Sequence, residues 1–148
     1  MQCKLYLRNG VVIIPTTGVV KRGYLRIVEP VSVVQISAVE DIRRTLRATI
    51  ARGNPPAPRY TPGSNPRPVV LKYAGAKSWA AFAREAKGWR IEEEKGIYGI
   101  VEYKQHAKGY WVEDHERKIE FPAGTTVDDV IERMIVILQH AADAERTR

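Results

Sequence analysis

The residues nearest to an acid–base arrangement are His106 and His115, which flank Tyr110-Trp111 and stand close to Glu113 and Asp114. An imidazole beside a carboxylate can move a proton near neutral pH, which is the chemistry such a group would do. Both histidines fall in segments that read as turns, where an imidazole is simply hydrated. His140 is remote, and no HxxxH or HxH spacing occurs. Cys3 is the only cysteine, which excludes an internal disulfide and a CxxC metal pair and reads as packing in an early strand. Lys77-Ser78 inverts the order of an S-x-x-K nucleophile motif, and the phosphate-cradling glycine motifs are absent. The expectation is a chain with no catalytic residues, no metal site and no cofactor, one that is not an enzyme and works by binding.

A binding surface is therefore sought in charge and aromatic clusters. Residues 1–88 carry fifteen Lys and Arg against four Asp and Glu, and residues 89–148 nine against thirteen, so a +11 half joins a −4 half in a net charge of +7. Arg43, Arg44 and Arg47, with Arg52, Arg59 and Arg67 beyond them and Lys21, Arg22 and Arg26 before, could attract phosphates. Only Tyr24 and Tyr60 are near enough in sequence to stack on bases, so a solvated basic face is the favoured reading. Glu92-Glu93-Glu94, and Glu113-Asp114 with Glu116, offer carboxylates to a basic partner. The same rows could instead guard a sheet edge against strand addition. Trp89, Phe82 and Tyr73 read as core, whereas Trp111, if exposed, would be a typical anchor at an interface.

The elements that must position these groups begin with two strand-like runs, 3–8 and 11–15, joined by Asn9-Gly10, the strongest local hairpin signal. Runs 23–28 and 31–36 read as two further strands broken at Pro30. Ser37-Ala38-Val39-Glu40 has the form of a capping box, and Val39, Ile42, Leu46 and Ile50 then lie on one helical face. Gly53 and Pro55-Pro56 end that helix and open a proline-rich loop over 53–68. Val69–Tyr73 reads as a strand and 76–87 as a helix stopped by Gly88. Strands follow at 89–94, 97–104 and 110–113, with 118–121 as a possible fourth. A last helix capped by Thr125 or Thr126 carries Val127, Val130, Ile131, Met134, Ile135 and Leu138 as its apolar stripe, and its tail frays from Asp143. The pattern is α+β: an antiparallel sheet of N-terminal hairpins and a C-terminal meander, packed against about three helices.

A length of 148 residues fits one domain, 1–148. Charges at Lys4 and Arg8 interrupt any secretory leader, and apolar runs such as Val11–Ile14 are too short for a membrane span. The expected location is a reducing cytoplasm. Several segments taken together, KLYLRNGVVIIPT, GYLRIVEPVSVV, the GNPP loop, PVVLKYAGAKSWAAFAREAKGWRIE and the late FPAGT, resemble the small CdiI-type immunity proteins of contact-dependent growth inhibition (CDI). The resemblance covers nearly the whole chain. It implies an immunity-like α+β domain that binds the C-terminal toxin domain of a cognate CdiA protein, often an RNase or DNase, in the cytoplasm of Gram-negative bacteria. It transfers no site residue. Immunity proteins against nucleases are often acidic, so the basic charge here implies an acidic toxin surface or contacts from the acidic second half. The candidate toxin-binding residues are Arg43, Arg47, Arg59, Tyr60, Trp111, Glu113 and Asp114; the alternative is a basic nucleic-acid-binding module.

Overall fold

Asn9 and Gly10 both take positive φ, 52° and 74°, as the tight turn between β1 (Gln2–Arg8) and β2 (Val11–Val19) requires. The computed structural model describes residues 1–59, 61, 63, 66–106 and 109–147, apart from the side chain of Arg22. After a single 3₁₀ turn at Lys21–Gly23, β3 (Leu25–Gln35) runs as one strand where two were expected. The pairing with β2 shifts between Pro15 and Thr16, so that Glu29 and Pro30 fall outside the register. β3 pairs only with β2, and an outer strand tolerates a residue without an N–H.

The first helix, α1 (Val39–Arg52), begins with Ala38 as its cap and has no side-chain capping bond, so the expected Ser37–Glu40 box does not form. The β-branched run at 69–73 is not a strand either. It folds as the short helix α2 (Val70–Ala74), capped by Gly75 in the left-handed conformation at φ 67°. Val70 and Leu71 are buried there across β2 and β3, which already hydrogen-bond to one another. The helix expected over 76–87 is shorter: α3 spans Trp79–Glu85, capped by Ser78 Oγ accepting from the Ala81 N–H at 3.1 Å. The chain is already extended at Ala86, where β4 (Ala86–Glu94) starts. β5 (Ile97–Gln105) and β6 (Trp111–Glu120) complete the meander. The runs expected at 110–113 and 118–121 belong to the one strand β6, whose pairing with β5 shifts between Ile100 and Glu102. Thr126 caps α4 (Val127–Arg146) by accepting from the Asp129 N–H at 3.2 Å, and the helix continues past Asp143.

All six strands form one antiparallel sheet in the order β3-β2-β1-β4-β5-β6. Its two faces bury different cores. On one, Cys3, Leu5, Leu7, Ile14, Trp89 and Ile91 meet Ile42 and Leu46 of α1 and Val130, Ile131, Met134 and Leu138 of α4. On the other, Tyr6, Ile13, Val70, Leu71 and Phe82 form a smaller cluster under α2 and α3. Among the described residues four α-helices thus cover the sheet, α2 being the addition to the three expected. No helix among the described residues is long and apolar enough to cross a membrane.

Candidate functional site

The second face is closed only in part. Side chains of β1, β4, β5 and β6 that share it follow from the register, which aligns Lys4 with Arg90, Arg90 with Val101, Glu92 with Gly99, and Tyr103 with Glu113. Where α2 and α3 pack, this face is apolar; beyond them it carries a polar network. Arg90 stands at its centre, its side chain only 12% exposed. The guanidinium donates to Glu92 Oε2 at 3.0 Å, to Tyr103 Oη at 3.2 Å, and to Glu113. Lys118 reaches the other Glu92 oxygen at 3.0 Å, and His115 Nε2 lies 3.7 Å from Glu113. Burial alone would raise the Glu92 carboxyl, but the Lys118 hydrogen bond and the Arg90 charge outweigh it and hold the group below the usual carboxylate range. Arg90 Nε and the indole Nε1 of Trp111 are buried without a protein partner among the described residues, a cost that an incoming acceptor would relieve.

Trp111 marks the border between the closed and open parts of this face. Its ring lies 5.5 Å from Trp79, 5.9 Å from Tyr6 and 6.2 Å from Tyr103, the last pair stacked. Gly88 makes room for it, since a Cβ built there would sit 2.3 Å from Trp111 Cζ3. That glycine, which in sequence looks like a helix stop, is a platform for the indole.

The basic end of the face is a groove of about 510 Å³ that runs between the start of β3, the proline-rich segment and the start of α2. Lys4, Arg26 and Arg59 supply its charge, and Ile27 and Val69 part of its floor. The segment beside it is held at its base. Asn54 Oδ1 accepts from the Gln2 N–H at 2.9 Å, while its Nδ2 donates to the Gln2 and Thr17 carbonyls at 2.7 and 2.8 Å. Val19 donates to Pro55 O at 2.8 Å and Ala57 to Val19 O at 2.9 Å. Gly18 permits this approach, a Cβ at that position falling 2.6 Å from Ala57 Cβ. Arg26 also donates to Pro58 O.

The candidate residues read from the sequence are dispersed by this architecture. Arg59 lines the groove, Glu113 belongs to the Arg90 network, and Trp111 is half-buried at the border. Tyr60 lies outside the described residues. Asp114 points to the face opposite Glu113, as neighbours in a strand must, and stands 3.8 Å from Arg117 and 4.0 Å from Lys104. Arg43 and Arg47 lie on the far side of the molecule. Arg43 grips Glu132 with two nitrogens and also contacts Glu40, and Arg47 meets Asp128 at 3.0 Å, so both tie α1 to α4. Glu92–Glu94 are not on a sheet edge, because β4 lies between β1 and β5. His115 is exposed on β6, while His106 stacks on Tyr110 at 4.5 Å; neither lines the groove. No group of three or more His, Cys, Asp or Glu that could hold a metal ion occurs among the described residues. Lys4, Arg90 and Tyr103 were not singled out from sequence. Their signal was the polar alternation in β1, β4 and β5, which reads equally as a solvated face.

Neither a protein-family model nor a curated protein matches the chain. Solved structures share its fold. A protein of unknown function from Neisseria meningitidis superposes with a TM-score of 0.63 at 12% identity, over 93% of this chain and 92% of that one. A chain of the CdiA-CT/CdiI toxin and immunity complex from Yersinia pseudotuberculosis gives a TM-score of 0.59 at 10% identity, over 88% and 91%. At such identities the likeness is one of fold.

Proposed function

We propose that this protein is an immunity protein, which binds the C-terminal toxin domain of a CdiA protein, a nuclease, and neutralises it in the bacterial cytoplasm. The observation that carries the reading is the fold shared along nearly its full length with a chain of a toxin and immunity complex. The resemblance in sequence to CdiI-type proteins points the same way. The action is stoichiometric binding, with no chemical step. The contact surface is the open part of the second face, where Arg59, Trp111 and Glu113 are accessible from one side of the sheet. Arg43 and Arg47 would contribute only by exchanging the carboxylates of α4 for those of a partner.

Co-expression with the toxin domain encoded beside this chain, followed by affinity capture on a C-terminal tag, tests the reading. The expected result is a one-to-one complex and rescue of growth. Capture of nucleic acid in place of protein, or rescue without a complex, would overturn it.

A further inference from the structure

Charge within the groove is one-sided. Lys4, Arg26 and Arg59 line it, and no carboxylate does so among the described residues. Lys4 makes no ion pair among those residues, while Arg90 stands opposite it across the β1–β4 pairing. Burial and the Arg90 charge hold the Lys4 ammonium below the usual lysine range, against a weaker opposing pull from Glu113. Between these cations lies apolar surface from Leu25, Ile27 and Val69, and Tyr24 stands 68% exposed at the rim. An exposed tyrosine beside a concave apolar floor, lined by cations and by no carboxylate among the described residues, is the composition of a recognition site.

We propose that this groove docks an acidic segment of a protein partner, its carboxylates meeting Lys4, Arg26 and Arg59 and an apolar side chain settling against Ile27, Val69 and Tyr24. The choice of a protein as partner rests on the immunity reading; the sign and the apolar component come from the groove. A carboxylate there gives Lys4 a direct counter-charge in place of the weak pull of Glu113, and charge-assisted bonds to arginine add direction. A nucleic acid asks for cations spaced along its backbone with several aromatic platforms. Three cations around an aliphatic floor fit an acidic peptide better.

The test uses the intact, isotope-labelled chain, titrated at low and at physiological salt with a short peptide of glutamate and leucine. A single-stranded oligodeoxynucleotide of equal charge is titrated separately. Peptide-induced shifts at Lys4, Tyr24, Leu25 and Arg59 are expected, fading with salt. A Lys4→Gln/Arg59→Glu double variant should bind at least about tenfold more weakly with an unchanged Tm, whereas Arg133→Glu on α4 should bind as wild type. Preferential binding of the oligonucleotide, or no shift with either probe, overturns the proposal. The same variants are then measured against the toxin domain. If wild type and double variant bind it equally, the groove is not the docking site and the immunity reading stands. If wild type does not bind it at all, the immunity reading falls, and the peptide titration still decides what the groove accepts.

Discussion

Two basic regions of the molecule, the outer side of α1 and the groove, use their charge differently. On the side of α1 and α4, Arg43 and Arg47 close on Glu132 and Asp128 and their charges are spent within the fold. On the side of the groove, Lys4 is set beside further cations and makes no ion pair among the described residues, Glu113 giving it only a weak pull. In sequence the first group is the more conspicuous, three arginines within five positions of one helix. The comparison teaches that net charge does not by itself mark a surface; what distinguishes the groove is cations gathered beside apolar surface with no carboxylate among its described lining residues. Adjacent residues show the same contrast at the smallest scale, for Cys3 is buried in the larger core while Lys4 faces the groove.

If the helical face is the structural half of the molecule, emptying it should unfold the protein without altering recognition. Leu46→Ala removes a fully buried side chain between α1 and the sheet, and a loss of about 2–5 kcal/mol is expected in urea unfolding. Its remaining folded fraction should bind the toxin domain with wild-type affinity; a lowered intrinsic affinity would break the distinction between the faces. Gly88→Ala strikes the other side. The new methyl collides with the Trp111 ring, which must move, at a cost of about 1–3 kcal/mol. Here both tryptophan emission and toxin affinity should change if the surface that the indole borders is the one proposed for contact. Unaltered emission would show that the ring is not seated on the glycine.

The smallest effect is a matter of pH. Burial pushes the Cys3 thiol from its ordinary 9.0 up to about 12, with the Arg52 charge opposing weakly. The unfolded chain therefore releases this proton first as pH rises. Stability from Cys3 is complete below about pH 9 and declines as pH climbs towards 12, by on the order of 1 kcal/mol at about pH 10. Urea midpoints at neutral and alkaline pH, in wild type and in Cys3→Ala, measure it. An equal alkaline loss in the alanine variant would mean that the dry side of β1 is not as dry as its burial implies.

Local signals carried much of the fold. Asn9-Gly10 and Lys95-Gly96 marked real turns, and Thr126 with the apolar stripe marked the start and buried face of α4, though not its end. The failures lay where tertiary contacts overrode local preference. Val69–Tyr73 has strand composition, yet it folds as a helix over β2 and β3. Pro30 looked like a break because the displaced pairing that accommodates it is a property of two strands together. The site was less legible than the fold. Arg59, Trp111 and Glu113 were visible as types, but which residues share a face depends on the order β1-β4-β5-β6, and no local pattern discloses that β1 pairs with β4.

That pairing has a consequence for how the molecule comes to be. The seam from Gln2–Glu92 to Arg8–Ala86 joins a ribbon finished early in synthesis to one that does not yet exist. While the ribosome makes the intervening helices, β1 waits with a row of unanswered amides and carbonyls and with Leu5 and Leu7 uncovered. Closing so long a span is slow relative to making either ribbon alone. The polar network around Arg90 of β4, which stands beside Lys4 of β1 across the seam, comes into being only when that closure does. The second face of the sheet is therefore finished only after β4 has been made and has found β1.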